Sequence, residues 1–196
     1  MKKAIFVHIP KCAGCSLWQA LRDLNLKEIE YYGHGEAKFK KPFPYDNSYK
    51  NYFSFSFVRN PFDRLVSAFF FLKSGGHNHK NAFHYNKYMR TPSESFEDFV
   101  LHKLNDDAIN SVQHLKPQHF WIYKNNQQVI DYVGKTEFLQ EDISKICSIS
   151  NIPNFNLPHE NKSSHKHYSE YYNDETCEIV AKKYAKDIEY FDYKFK

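Results

Sequence analysis

The chain has 196 residues, of which 41% are hydrophobic, 26% charged and 18% aromatic, and its formal net charge is +4 at pH 7. This composition is that of a globular protein and favours a single domain over residues 1–196, while the small positive charge favours an anionic ligand but is too weak to indicate nucleic acid as a partner. The apolar run behind the basic start ends at His8, and no stretch reaches the roughly 20 apolar residues of a membrane span, so we expect no signal peptide, no membrane span and a cytoplasmic protein.

The segment AIFVHIPKCAGCS, from Ala4 to Ser16, predicts a buried strand, a short basic loop and the start of a helix. Residues 4–7 are apolar, as in a parallel strand, and apolar residues recur at helical spacing after Ser16. Backbone N–H groups at a helix N-terminus and the positive end of the helix dipole attract phosphate or sulfate, and Lys11 adds a full charge. Ser16 can cap the helix or donate a hydrogen bond. We therefore expect an anion site in this loop.

Two further strands are predicted in the first third of the chain. The first covers residues 27–32 and leads into a Gly-His-Gly sequence, which puts His34 at a strand end. The second has the sequence YFSFSFV and ends just before Arg59. Asn60 then suits a helix cap and Pro61 the first helical position, so a helix is predicted to start directly after Arg59.

Irregular and periodic stretches alternate in the rest of the chain. Residues 73–90 are rich in Gly, His and Asn and predict an irregular excursion that covers a cleft. Thr91 as a cap, with Pro92 in the first turn and a capping-box acid at Glu94, predicts a helix through Leu104. The other predicted elements are a strand at residues 129–133, a helix at 137–147, an irregular stretch at 154–167 and an amphipathic helix at 174–190.

Strands that alternate with helices predict an α/β fold with a central, mostly parallel sheet flanked by helices, and such sheets bind ligands at the carboxyl ends of their strands. The loop at residues 11–16, His34 and Arg59 each follow a predicted strand, so we expect them to converge on one crevice. Ser67 lies about two helical turns beyond Arg59 and could reach the same anion. Taken alone, Arg59 would form a surface ion pair with Asp63 and Ser67 would be solvated. Two anion sites together indicate a ligand with two phosphates.

Two segments carry a family resemblance. HIPKCAGCS, which starts at His8, resembles a 5′-phosphosulfate loop, and FSFVRNPFDRLVSAF, which contains Arg59, resembles a 3′-phosphate motif of carbohydrate sulfotransferases of sulfotransferase family 2. GHGEAKF at residues 33–39 is similar to the element between these motifs in heparan sulfate 2-O-sulfotransferases. The similarity continues through VGKTEFLQED and LPHENKSSHKHY but is poor over residues 74–126, which we expect to form the acceptor side. The resemblance implies a P-loop-like three-layer fold and the sulfuryl donor 3′-phosphoadenosine 5′-phosphosulfate, PAPS.

Matched position by position, the resemblance implies that Lys11 contacts the phosphosulfate bridge and that Arg59 and Ser67 hold the 3′-phosphate. The backbone expected to wrap the 5′-phosphate is that of Cys12, Ala13, Gly14, Cys15 and Ser16. Lys162 and Ser163 match a late basic loop over the cofactor, and a solvated loop explains these two residues equally well.

The reaction that the resemblance implies is in-line transfer of a sulfuryl group to an acceptor hydroxyl, with charge building on the departing phosphate. Lys11 would neutralise that charge. His34, which the resemblance places opposite the sulfuryl group, is the expected base, and Glu36 is the alternative. His114 and Gln118 match a His/Gln-bearing element of the acceptor cleft. The expected acceptor is a carbohydrate or glycoconjugate, the mechanism needs no metal, and the oligomeric state stays open.

Two other functions remain open from the sequence. Cys12 and Cys15 form a CxxC between a strand and a helix, as in thioredoxin-like redox proteins, and Cys15 stands where the sulfotransferases commonly have Thr. A non-catalytic module for anionic glycans would use aromatic rings with the basic residues between Lys73 and Arg90. A P-loop kinase is excluded because the pattern GxxxxGK followed by Ser or Thr is absent, and the histidines match no common zinc spacing.

Overall fold

The computed structural model of the chain describes residues 3–25, 29–33, 51–157 and 165–196. Contacts within the chain divide it into two compact units. Unit 1 is formed by Met1–Arg59 and Gln118–Lys162, and unit 2 by Asn60–Pro117 and Ser163–Lys196. The single domain expected from the sequence stays a prediction, because two compact units can belong to one domain or to two.

Unit 1 is built on a parallel sheet flanked by helices, which confirms the predicted α/β fold. In chain order the described strands are β1 (Ala4–His8), β2 (Ile29–Gly33), β3 (Phe53–Val58), β4 (Tyr123–Lys124), β5 (Gln127–Gln128) and β6 (Tyr132–Lys135). The sheet has four strands in the order β2-β1-β3-β6, and β4 and β5 pair separately as a small antiparallel hairpin.

The other described elements are helices, together with single 3₁₀ turns at Thr136–Phe138 and Tyr168–Tyr171. In chain order the α-helices are α1 (Gly14–Asp23), α2 (Pro61–Lys73), α3 (His79–Tyr88), α4 (Phe96–His102), α5 (Asp106–Ser111), α6 (His119–Ile122), α7 (Leu139–Ser150), α8 (Asp174–Lys183) and α9 (Ala185–Tyr190). In unit 1, α7 packs on β3 and β6.

The strands of the main sheet end at one edge, because all of its ladders are parallel. His8, the last residue of β1, lies beside Gly33, the last residue of β2, and Val58 of β3 lies beside Lys135 of β6. β1 is flanked by β2 and β3, so the chain leaves these three strands at neighbouring positions. This carboxyl edge is where parallel α/β sheets bind their ligands.

The position of β1 in the sheet follows from its residues. All five are buried, as expected of a central strand that is covered on both faces. Phe6 stacks on Phe55 of β3 with ring centroids 5.3 Å apart. α1 buries one face, formed by Gly14, Leu17, Ala20 and Leu21. The strand and the helix on either side of the basic loop are therefore both anchored in the core of unit 1.

Unit 2 is helical in its described residues, and α2 is its most deeply buried helix. Nine of its 13 residues are buried, so α2 is covered on most of its sides. The Asn60 side chain accepts a hydrogen bond from the Phe62 N–H at 3.1 Å, which confirms the predicted cap ahead of Pro61. Phe69 of α2 packs on Phe99 of α4 with ring centroids 5.4 Å apart.

The irregular excursion predicted for residues 73–90 is wrong, because α3 lies within it. The cap of α3 is the Asn78 side chain, which accepts from the Asn81 N–H at 3.1 Å. Tyr85 is buried and packs on Phe69 with ring centroids 6.2 Å apart. This helix depends on a cap and on tertiary packing of an aromatic ring, and a polar sequence shows little periodicity of that kind.

The start predicted for α4 is also wrong. Its cap is Ser95, whose hydroxyl accepts from the Asp98 N–H at 3.1 Å, and Thr91 lies outside the helix. Glu94 has a φ of +51°, which is left-handed backbone and cannot continue a right-handed helix. The capping-box pattern at residues 91–94 therefore belongs to a turn.

Three further differences come from short or broken elements. β6 begins at Tyr132, three residues after the predicted strand start. The helix predicted at residues 174–190 is divided into α8 and α9 at Tyr184, whose φ is −113° and whose hydroxyl donates to the Leu115 carbonyl oxygen at 2.7 Å. α5, α6 and the β4–β5 hairpin were not predicted, because they are shorter than the window over which hydrophobic periodicity is detectable.

Candidate functional site

The loop between β1 and α1 has the tight turn that the sequence predicts. The Cys12 N–H donates to the Ile9 carbonyl oxygen at 3.3 Å, which folds the loop back onto the end of β1. Lys11 and Ala13 both have left-handed backbone, with φ of +68° and +57°. Such conformations cost non-glycine residues about 1–2 kcal/mol each and are concentrated at functional sites. α1 begins at Gly14, two residues before the predicted start.

The first turn of α1 is suited to an anion. Its N-cap residue is Ala13, and at this helix start, which lies wholly within the described residues, no side chain caps the backbone and no acidic residue is present. Ser16 lies inside the first turn, so it does not cap the helix, and its alternative role as a hydrogen-bond donor stays a prediction. At a helix start without a side-chain cap, the backbone N–H groups and the positive end of the dipole favour a negatively charged ligand.

Gly14 lets the helix start lie directly against the end of β1. A Cβ atom at Gly14 would lie 1.8 Å from Cδ2 of His8, so any side chain there would displace the imidazole ring. His8 is buried, and its Nδ1 lies 2.6 Å from the hydroxyl of Tyr31 on β2. Sequence reasoning missed His8 because it appeared only as the end of an apolar run. The signal available was a histidine that directly precedes a basic loop.

Arg59 lies directly after β3 and reaches the basic loop. Its Nη1 donates to the Lys11 carbonyl oxygen at 3.4 Å. The two basic elements that were predicted to converge, the loop at residues 11–16 and Arg59, are therefore in contact within unit 1. Both side chains, Lys11 and Arg59, are half-buried. Two cationic residues therefore lie on neighbouring loops in unit 1.

Gln118 connects the same two loops from inside the unit. Its Oε1 accepts from the Arg59 N–H at 2.9 Å and from the Cys12 thiol at 3.2 Å, and its Nε2 donates to the Arg59 carbonyl oxygen at 2.9 Å. Its exposed fraction is 0%. The expectation that Gln118 binds the acceptor stays a prediction, although its amide is enclosed by the two loops in this structure.

The two cysteines of the CxxC differ in exposure. Cys12 is buried and its thiol donates to Gln118, whereas Cys15 is exposed, and neither forms a disulfide bond within the described part of the chain. Reactive cysteines lie in partly exposed, electropositive positions. The buried thiol of Cys12 instead acts as a hydrogen-bond donor inside the loop.

At β6, the neighbour of β3, a buried carboxylate holds the strand end. Partial burial alone would raise the pKa of Asp142, but hydrogen bonds from the Lys135 N–H, the Tyr132 hydroxyl and the Lys145 ammonium together lower it. The first two of these bonds measure 2.9 and 2.7 Å. Burial, followed by the bond to Asp142, raises the pKa of Tyr132. The carboxylate on α7 thus fastens this helix to the carboxyl edge of the sheet.

The remaining predicted site residues lie in unit 2 or outside the described residues. Ser67 lies on α2 and is 5% exposed, and His114 is 7% exposed, with its ring centroid 5.1 Å from that of Phe71. Their roles stay predictions. The residues outside the described ranges are His34, Glu36, Lys162 and Ser163. The described part of the chain contains no group of three or more His, Cys, Asp or Glu residues that could hold a metal ion.

A parallel sheet with a basic loop after its central strand is the architecture in which α/β proteins bind anionic ligands at the sheet edge. The sequence model of a family described as "Sulfotransferase family" matches residues 1–194. The chain therefore belongs to the sulfotransferase family.

Comparisons with individual proteins add little to this assignment. The chain is similar to an archaeal protein from Archaeoglobus fulgidus, described as an uncharacterized protein, with 27% identity over 105 residues. This match covers 54% of the chain and 72% of the archaeal protein. No solved structure matches the chain significantly. Within the described ranges, every helix is too short or too polar to cross a membrane.

Proposed function

We propose that the chain transfers a sulfuryl group from PAPS to a hydroxyl group of a carbohydrate or glycoconjugate. Membership of the sulfotransferase family supports sulfotransferase activity. The observation that carries the donor assignment is the contact between Arg59 and the loop that contains Lys11. PAPS has a phosphosulfate at one end and a 3′-phosphate at the other, so it needs two groups of donors at a fixed separation.

The described residues fit such a donor. We propose that Lys11 and the first-turn N–H groups of α1 bind the phosphosulfate, because this helix start has neither a side-chain cap nor an acidic residue. Arg59 is proposed for the 3′-phosphate, since a guanidinium binds phosphate through two parallel hydrogen bonds. The resemblance adds Ser67 to the 3′-phosphate contacts and Lys162 with Ser163 to a loop over the donor.

In the proposed reaction the acceptor oxygen bonds to sulfur while the bond from sulfur to the phosphate oxygen breaks, and the leaving group is adenosine 3′,5′-bisphosphate. His34, or Glu36 as the alternative, takes the proton of the acceptor hydroxyl. Lys11 stabilises the negative charge that develops on the leaving phosphate. The acceptor residues, including His114, are proposed on the resemblance alone.

The glycan-binding alternative is less well supported by the segment at residues 73–90. Arg90 forms an ion pair with Glu94 at 2.8 Å, and Lys73 donates to the carbonyl oxygen of Glu94 at 2.7 Å. Lys87 lies over the ring of Tyr88, 4.8 Å from its centroid. These basic residues already have intramolecular partners, so we prefer the catalytic function.

The donor assignment is tested by thermal unfolding with and without adenosine 3′,5′-bisphosphate. A ligand at 100 times its dissociation constant stabilises a protein by about 2.7 kcal/mol, so we expect a clear rise in melting temperature. Adenosine without phosphates is the matched control and should produce no shift. An unchanged melting temperature at millimolar bisphosphate would contradict the proposal. Transfer of sulfate from PAPS to a panel of glycans then identifies the acceptor.

A further inference from the structure

Gln118 is a polar residue to which the proposed donor site assigns no role, although it lies between the basic loop at residues 11–16 and Arg59. It is completely buried and has an amide that can both donate and accept. Its side-chain oxygen, Oε1, accepts from the Arg59 N–H and the Cys12 thiol, and its side-chain nitrogen, Nε2, donates to the Arg59 carbonyl oxygen. The contacts join one residue of each loop through a single side chain.

The backbone of Arg59 lies one residue beyond Val58, the last residue of β3 in the parallel ladder. Gln118 supplies to Arg59 the two backbone hydrogen bonds that a neighbouring strand would supply, at 2.9 Å each. Extending the order of the sheet by one residue fixes the direction in which the Arg59 side chain leaves the backbone. The third bond, from the Cys12 thiol, holds the basic loop to the same amide.

The position of Gln118 is itself fixed. It forms the N-cap of α6, and its main-chain carbonyl oxygen accepts from the Trp121 N–H at 3.2 Å. Trp121 and Ile122, which end this short helix, are both 0% exposed. Helix α6 thus fixes Gln118, and the side-chain amide of Gln118 in turn holds the basic loop and Arg59.

We propose that Gln118 is a positioning residue for the sulfotransferase reaction, which sets the separation of the phosphosulfate loop and Arg59 and so matches them to the two phosphate groups of one donor. The inference rests on the proposed function. It assigns Gln118 to the donor side without direct contact to the donor, whereas the sequence resemblance had assigned it to the acceptor cleft.

The test compares Gln118→Met with wild type in affinity for adenosine 3′,5′-bisphosphate, measured by titration calorimetry well below the melting temperature. Methionine has a similar length and makes none of the three bonds. We expect the dissociation constant to rise about 10- to 100-fold, the range that corresponds to loss of buried hydrogen bonds. A purely structural role would lower the melting temperature and leave the dissociation constant of the folded protein unchanged, which would overturn the proposal.

Gln140→Met is the matched control. Gln140 makes the same kind of paired backbone contact in unit 1, because its Nε2 donates to the Phe155 carbonyl oxygen at 2.9 Å and its Oε1 accepts from the Leu157 N–H at 3.2 Å. Gln140 is exposed, and these two hydrogen bonds of its side chain involve neither Cys12 nor Arg59. We expect its dissociation constant to stay within about twofold of wild type, which is under 0.5 kcal/mol. Equal effects of the two substitutions would overturn the proposal.

Gln118→Glu keeps the shape and the acceptor oxygen but removes the N–H that donates to Arg59. This variant replaces Gln118→Met in the binding test if the methionine variant does not fold. We expect a loss of affinity of about tenfold.

A further measurement needs no variant, since the Arg59 amide proton of the wild type should be protected from hydrogen exchange, and rapid exchange would overturn the proposal. If the wild type itself fails to bind the bisphosphate, the proposed function fails and not this inference alone.

Discussion

Among the described residues of unit 1, Lys11 and Arg59 are the two cationic side chains on which the proposed donor site depends. Lys11 has left-handed backbone in a loop that folds back on β1, and its carbonyl oxygen accepts from the Arg59 guanidinium. Lys11 and Arg59 follow β1 and β3, so both cationic residues lie at the carboxyl edge of the sheet. At the scale of single residues, the proposed donor site therefore depends on where these two cations are held.

Replacing either cation should weaken donor binding. We expect Lys11→Ala and Arg59→Ala each to raise the dissociation constant for adenosine 3′,5′-bisphosphate about 10- to 100-fold, since hydrogen bonds to charged groups contribute about 1.5–3 kcal/mol. Lys124→Ala and Arg22→Ala remove exposed cations of unit 1 and are the matched controls. Titration calorimetry makes the comparison, and a loss of affinity common to all four variants would indicate a nonspecific effect of charge.

His34→Ala should separate binding from transfer. A positioned base contributes about 10²–10⁴-fold to the rate, so we expect transfer to fall by this factor while the bisphosphate still binds. Transfer of labelled sulfate from PAPS measures the rate, and His102→Ala, which removes an exposed histidine of α4, is the control. Full activity in His34→Ala combined with its loss in Glu36→Gln would assign the base to Glu36.

At the scale of elements, the conformation of the basic loop depends on how closely α1 approaches β1. Gly14 lies against the buried ring of His8, and that ring is held by Tyr31 of the next strand. The start of α1 is thus placed by the neighbouring strand β2 as well as by its own sequence.

Gly14→Ala should destabilise the protein by about 1–3 kcal/mol, because the added methyl group overpacks the contact with His8. Urea unfolding of Gly14→Ala, His8→Ala and the double variant forms a double-mutant cycle. We expect the cost of Gly14→Ala to shrink when His8 is already alanine, since the clash is then absent. An equal cost in both backgrounds would show that the ring does not limit the approach of the helix.

Asp142 fastens α7 to β6, and its stabilising effect should depend on pH. Its folded-state pKa lies below the unfolded value, so its contribution is present above the unfolded pKa of about 4 and is lost as the pH falls through the folded pKa. We expect Asp142→Asn to cost about 1–3 kcal/mol at pH 7 and less at acid pH, as measured by urea unfolding. The exposed neighbour Glu141 provides the control Glu141→Gln, which should cost little at either pH.

At the scale of the whole molecule, each compact unit is assembled from two separate stretches of chain. Unit 1 contains β6, which the chain reaches only after passing through residues 60–117 of unit 2. If unit 2 unfolded alone, those residues would become an open loop within unit 1, and closing that loop costs entropy. The path of the chain therefore favours joint unfolding of the two units.

We expect a single calorimetric transition in which the calorimetric and van't Hoff enthalpies agree. This result would support one domain over residues 1–196. Two resolved transitions, of which only one shifts with adenosine 3′,5′-bisphosphate, would contradict it and would show that donor binding stabilises one unit independently.

Local patterns in the sequence predicted most of the elements on which the sheet and its helices are built. The apolar run of β1, the aromatic pattern of β3 and the Asn60–Pro61 helix start were all predictable, because strand patterns and caps involve residues near one another. The same signals failed for α3, which was predicted to be irregular, because packing of Tyr85 against Phe69 cannot be seen in a polar segment.

For the candidate site, the sequence by itself determined which loops carry cations and that each follows a parallel strand, so Lys11 and Arg59 were expected at one edge. Only the tertiary structure decided how those loops are joined. The Gln118 side chain forms hydrogen bonds with Arg59 and Cys12, which lie 59 and 106 positions earlier in the chain. His8 contacts Tyr31 of the adjacent strand. Such contacts arise when strands pair and side chains become buried together, and no local pattern encodes them.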